Sequence, residues 1–168
     1  HNGGGLEIQG PGADQLTISG NNASRVIYTY SFPAGVPLLI SGLTLTGGNA
    51  TFGGAVVNMD QALTIRDSVL TGNAAGSKGG AVWSDGFSSS LTIEGTEISG
   101  NTAGVDGGGI YNEDTTVNGQ RIHISDSVIK NNTATDDGGG IYLYDPDGDT
   151  LIEDTTITGN QAGDLGGG

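Results

Sequence analysis

The chain has 168 residues, with 33 glycines, 4 prolines and no cysteine, which excludes a disulfide scaffold, a thiolate metal site, a collagen-like helix and a Pro-rich linker. Its 19 acidic residues stand against 5 basic ones, a net charge of −14, and a chain so poor in cations cannot neutralise the phosphates of a nucleic acid or an anionic membrane. Aromatic residues make up only 5%, so the core has to be built from small aliphatic side chains.

In chain order, His1-Asn2-Gly3-Gly4-Gly5 leads into a strand at Leu6–Ile8, and the stretch LEIQGPGADQLTISGNNASRVIY runs on to Tyr28. From Leu39 the chain then writes one sentence repeatedly. LISGLTLTGGNATFGGAVVN is a loose copy, and LTIRDSVLTGNAAGSKGGAVW from Leu63 is a full one. LTIEGTEISGNTAGVDGGGIYN from Leu91 and IHISDSVIKNNTATDDGGGIYL from Ile122 follow, and LIEDTTITGNQAGDLGGG from Leu151 stops short. The asparagines Asn49, Asn73, Asn101, Asn132 and Asn160 mark steps of 24, 28, 31 and 28 residues. A period of this size predicts stacked repeats in which each unit buries its apolar face only against its neighbours.

One repeat reads as a coil. Leu91 and Ile93 alternate with Thr92, Gly95-Thr96 turns, Ile98 points inward, Gly100-Asn101 turns again, and the chain returns through GGGIYN with Ile110 inward. This predicts three short strands and three turns per coil in an all-β, right-handed parallel β-helix of about six coils, a single domain over residues 1–168. Leucine-rich repeats need a helical return, which the pattern lacks, and neither a six-residue period nor a GGxGxD repeat is present. Stacking predicts three ladders: Asn73, Asn101, Asn132 and Asn160 at an αL corner, Leu70, Ile98, Ile129 and Ile157 beside it, and the Gly-Gly pairs at 79–80, 107–108, 138–139 and 166–167.

The repeat, written I/L-x-G/N-N-x-A-x-x-x-G-G-A/G-I/V, resembles the repeats of polymorphic outer-membrane proteins, with Leu70, Ile98, Ile129 and Ile157 in place of the aromatic of their FxxN motif. Together with the stretch from Leu6 to Tyr28, it is similar to the large bacterial surface proteins known as CSLREA-domain or choice-of-anchor Q proteins. The resemblance implies a β-helix with an extracellular or cell-surface location, exported from a bacterium. Because the chain opens on His1, it reads as a segment or mature product of a larger exported protein. No apolar run approaches the roughly 18 residues of a membrane span.

No catalytic set stands out. A lyase needs a base beside a cation-held uronate, but Arg25, Arg66, Lys78, Arg121, Lys130, His1 and His123 are scattered, and His123 falls at the outward position of Thr64 and Thr92. Carboxylates gather in two loop rows. Asp106, Asp136, Asp137 and Asp164 precede the glycine-rich strand, and Asp60, Asp85, Glu113, Asp114, Asp145, Asp147 and Asp149 follow it. Asp145, Asp147 and Asp149 alternate across a Pro/Gly turn and are the candidate calcium ligands; an acidic solvated turn is the simpler reading. No cofactor is required. Asp67, Asp126 and Asp154 read as turn chemistry.

Function divides between two classes. The first is a non-enzymatic structural or adhesive element whose partners are copies of itself stacked end to end, or glycans and a host or neighbouring cell surface. Its assembly ends would be His1, Asn2 and Gly3 against Gly166, Gly167 and Gly168, because GGG joined to HNGGG completes a coil. The second is a β-helix that binds or cleaves polysaccharide, with Trp83, Tyr111 and Tyr142 as the candidate sugar-stacking residues.

Overall fold

A computed structural model describes residues 5–30, 36–86, 89–113, 122–144 and 149–167. The strands are all parallel and make four walls, two of six strands and two of five, which amounts to about five turns of solenoid. The first wall carries Leu6–Gln9, Val36–Ser41, Gln61–Arg66, Ser90–Glu94, Ile122–Ser125 and Thr150–Glu153. The second carries Thr17–Ser19, Thr44–Thr46, Val69–Thr71, Glu97–Ser99, Val128–Lys130 and Thr156–Thr158. The third holds Asn49–Phe52, Ala74–Lys78, Thr102–Ala103, Thr133–Ala134 and Gln161–Ala162. The fourth holds Ile27–Tyr30, Val56–Met59, Val82–Asp85, Ile110–Glu113 and Ile141–Tyr144.

A full coil therefore has four strands, not the three read from the sequence. The extra one is the third wall, which shrinks to two residues at Thr102–Ala103; so short a strand offers no alternation to detect. Inward residues stack in register along each wall. Leu38, Leu63, Leu91 and Ile122 form one column, Ile40, Ile65, Ile93 and Ile124 a second, and Leu45, Leu70, Ile98 and Ile129 a third. All of these are buried, and among the described residues the core cluster is a continuous aliphatic filling with no aromatic ring in it.

Turning a parallel coil through its corners requires left-handed backbone, and the composition meets that need directly. Positive φ falls on Gly72, Gly100, Asn131 and Gly159 at the second corner, while Asp67, Gly95, Asp126 and Asp154 take it at the first. The ladder asparagines do not adopt αL backbone, contrary to the sequence expectation. The residue before each of them does, and that frees the asparagine to turn its amide into the stack. At the third corner Gly79 is left-handed (φ 69°), and a Cβ on Gly80 would collide with the carbonyl oxygens of Gly108 and Thr102 in the next coil.

The asparagine ladder satisfies its own buried polar groups. Asn73 Nδ2 donates to Asn101 Oδ1 at 2.9 Å and to the Leu45 carbonyl at 3.1 Å, and its backbone N–H donates to the same Oδ1 at 3.0 Å. Asn101 repeats the pattern onto Asn132 (2.9 and 3.0 Å) and the Leu70 carbonyl (3.0 Å), and Asn132 repeats it onto Asn160 and Ile98. A side-chain amide has two donors and one carbonyl, and here each is used in a water-excluded corner where an orphan is costly. A second ladder at the first corner runs Ser68, Thr96, Ser127 and Thr155, each hydroxyl accepting from the backbone N–H one coil earlier.

Asn49 lies outside the asparagine ladder. Its strand pairs it with Ala74, so Gly48 occupies the ladder position and gives its N–H to Asn73 Oδ1 at 2.9 Å. The true step there is 48 to 73, one longer than the motif spacing indicated. Asn101→Ala removes bonds on both sides of the coil and is expected to cost roughly 3 to 5 kcal/mol in urea unfolding. The exposed Asn49→Ala should stay within about 0.5 kcal/mol of the parent.

Candidate functional site

Every described aromatic residue stands on the fourth wall except Phe52, whose ring stacks on Trp83 with centroids 5.3 Å apart. Alternation sets the arrangement: Val82, Ile110 and Ile141 face the core, so Trp83, Tyr111 and Tyr142 face outward in one register column. The three candidates are thus brought together, but they are not equivalent. Tyr111 is fully buried, its ring stacked on Tyr142 at 5.3 Å, and Trp83 and Tyr142 are half-buried. Tyr142 also lines a shallow depression of about 300 Å³ with Asp137, Ile141 and Leu165. The indole N–H of Trp83 is the one buried side-chain polar atom without a hydrogen-bond partner among the described residues.

One lysine organises the centre of this face. Lys78 Nζ donates to the Tyr111 hydroxyl at 2.7 Å, lies 4.4 Å from that ring's centroid and 5.8 Å from that of Tyr144, and sits 3.9 Å from Glu113 Oε2. Burial, with Glu113 and Asp106 nearby, pushes the Tyr111 hydroxyl well above the usual phenol range. Glu113 is in register with Asp85 one coil earlier. Desolvation raises the Asp85 carboxyl, opposed by the Gly86 N–H and reinforced by the charges of Glu113 and Asp60. In the sequence Lys78 stands as one of several scattered bases. Its 33-residue separation from Tyr111 matches no coil step, so only folding reveals the pair.

The acidic rows resolve differently from their sequence description. Asp145 and Asp147 lie outside the described residues; Asp149 is described, and its carbonyl accepts the Ile122 N–H at 3.1 Å. The other row supplies a cluster: oxygens of Asp136, Asp137 and Asp164 all lie within 4.8 Å of one another. Stacking explains it, because the Asp164 N–H bonds the Asp136 carbonyl at 2.9 Å and brings the two coils' loops into register. Three oxygens could supply part of the six to eight that calcium takes, with water completing the shell. Partial loss of hydration, then the charges of Asp137, Asp106 and Asp164, hold the Asp136 carboxyl above the usual range.

The remaining described basic side chains are engaged singly. Arg25 donates to the carbonyls of Phe52 and Gly53, Lys130 pairs with Glu97 at 3.0 Å, Arg66 with Asp67 at 3.6 Å, and His123 with Glu153 at 3.0 Å. His1, Asn2, Gly3, Arg121 and Gly168 lie outside the described residues. Gly166 takes the same left-handed corner as Gly138, and its carbonyl accepts the Gly139 N–H, so Gly166-Gly167 continues the glycine pairs of earlier coils.

Four parallel walls around an aliphatic core, with polar ladders at the corners, define a parallel β-helix solenoid. The chain matches the family described as "Right handed beta helix region" over residues 4–167 and belongs to that family. Neither the curated proteins nor the solved structures give a match to it.

A carboxyl with a raised folded-state pKa binds its proton more tightly in the folded chain. The Asp136 cluster therefore costs stability above that pKa, and the cost fades as pH falls through it. In chelator at neutral pH, Asp136→Asn is expected to raise the thermal midpoint, and well below the carboxylate range it should leave it unchanged. Calcium occupancy would show as an upward shift of the parent on adding calcium that the variant lacks.

Proposed function

We propose that this β-helix is a non-enzymatic structural or adhesive element of an exported bacterial protein, working outside the cell or on its surface. The observation that carries the reading is the use of the interior: its polar side chains, Asn73, Asn101, Asn132 and the Ser68–Thr96–Ser127 column, are committed to neighbouring coils. The result is a stack held coil to coil that presents outward walls of five or six strands. The resemblance to CSLREA and choice-of-anchor Q surface proteins supports the location. Calcium at the acidic loops, copies of the chain stacked end to end, and glycans or a neighbouring cell surface are the ligands and partners that accompany the reading. Backbone edges of parallel strands pair readily with like edges, which supports self-association.

Attachment is the direct test. Beads coated with the chain should be retained on bacterial or host cells above beads coated with an unrelated acidic protein, and added calcium should not diminish retention. Light scattering and electron microscopy of the same material should reveal rods longer than one chain. Retention no better than the control, together with a dispersed monomer, would contradict the proposal.

A further inference from the structure

We propose that the outer face of the fourth wall binds a neutral, hydroxyl-rich glycan; this deepens the adhesive reading above and rests on it. The first observation is distribution. Among the described residues the core cluster holds no aromatic ring, and the aromatic residues collect on this one wall and on Phe52 beside it. Core filling therefore does not account for them, whereas rings along a flat face suit the apolar faces of sugar rings. Tyr144 (48% exposed) and Tyr28 (58%) are the most exposed rings, at two levels of the stack. The Arg25 guanidinium lies 5.2 Å from the Tyr28 ring centroid and leaves its other side for a ligand, and the buried Tyr111 is the support on which Tyr142 and Lys78 rest.

The second observation is the kind of polar group set among the rings. Asp85 and Glu113, half-buried and in register on adjacent strands, accept hydrogen bonds from hydroxyls. The Trp83 indole N–H, without a partner in the wall, is a donor left over for a sugar oxygen. Polar groups few in number, placed among aromatic side chains, are the composition of a small-molecule or glycan site.

Charge then selects the class of glycan. Asp60, Asp85 and Glu113 outnumber the two cations on this face, Lys78 is already bonded to Tyr111 and Arg25 to the Phe52 and Gly53 carbonyls, and the whole chain carries −14. A uronate or sulfated polymer would be repelled, and a neutral one is not. Successive strands about 4.8 Å apart repeat the face along the axis, which suits an extended chain rather than one sugar.

Trp83 is the only tryptophan, so its fluorescence reports on this face without a label. The full chain is titrated with cello-, chito- and laminari-oligosaccharides and with oligogalacturonate, alongside retention on insoluble cellulose, chitin and β-1,3-glucan. At least one neutral series should shift Trp83 emission saturably, with retention on its polymer, and oligogalacturonate should not. Tyr144→Ala, at an exposed position, should weaken that binding roughly three- to tenfold. Asp85→Asn should also weaken it, while both variants keep the parent's circular dichroism. No response to any neutral series, an equal response to oligogalacturonate, or two folded variants with unchanged affinity would overturn the proposal. Cell attachment that persists without any glycan response would leave the adhesive reading standing and remove this one.

Discussion

Parallel coils create a problem at each corner. The backbone must turn sharply where water is excluded, and the peptide groups there lose the regular partners that the walls provide. This structure meets the constraint with side chains that reproduce a peptide's hydrogen bonding. At the second corner the amide of Asn101 accepts from Asn73 and donates to both Asn132 and the Leu70 carbonyl. At the first corner the hydroxyl of Thr96 accepts from the Ser68 N–H and donates to the Glu94 carbonyl. Left-handed residues just ahead of each ladder, Gly100 and Gly95 in that coil, make the geometry attainable. The aliphatic columns contribute burial, and the ladders fix the register in which burial occurs.

That register has consequences outside the core. Because alternation is strict, locking Val82, Ile110 and Ile141 inward forces Trp83, Tyr111 and Tyr142 outward in one line. The same locking stacks Asp85 on Glu113 and draws Asp136 over Asp164. Lost hydration first, and then the like charges so placed, raise the Asp85 and Asp136 carboxyls above the usual range. The acidic surface is thus partly a product of repetition: each coil brings its carboxylate to the same height as the last.

Legibility in the sequence followed the length of the signal. The Asn73–Asn101–Asn132–Asn160 ladder and the Leu70–Ile98–Ile129–Ile157 column were readable because they recur at a nearly constant step. The third wall was not, since Thr102–Ala103 is too short to alternate. Asn49 misled because Gly48 stands at the ladder position and the asparagine falls one residue later, and only the pairing of Asn49 with Ala74 shows it. For the candidate face, the alignment of Trp83, Tyr111 and Tyr142 was visible, but the burial of Tyr111 under its neighbours was not. The Lys78–Tyr111 contact spans unlike positions of different coils, which no periodic reading can reach.

The claim on which the rest depends is that the asparagine ladder is the most firmly held part of the stack. Native-state hydrogen exchange measures this residue by residue. The backbone N–H groups of Asn73, Asn101 and Asn132, each bound to the side-chain oxygen of the next coil, should be among the slowest to exchange, opening only with global unfolding. Their side-chain amide protons should be protected as well. Exchange of these groups as fast as the amides of an unfolded chain would contradict the account.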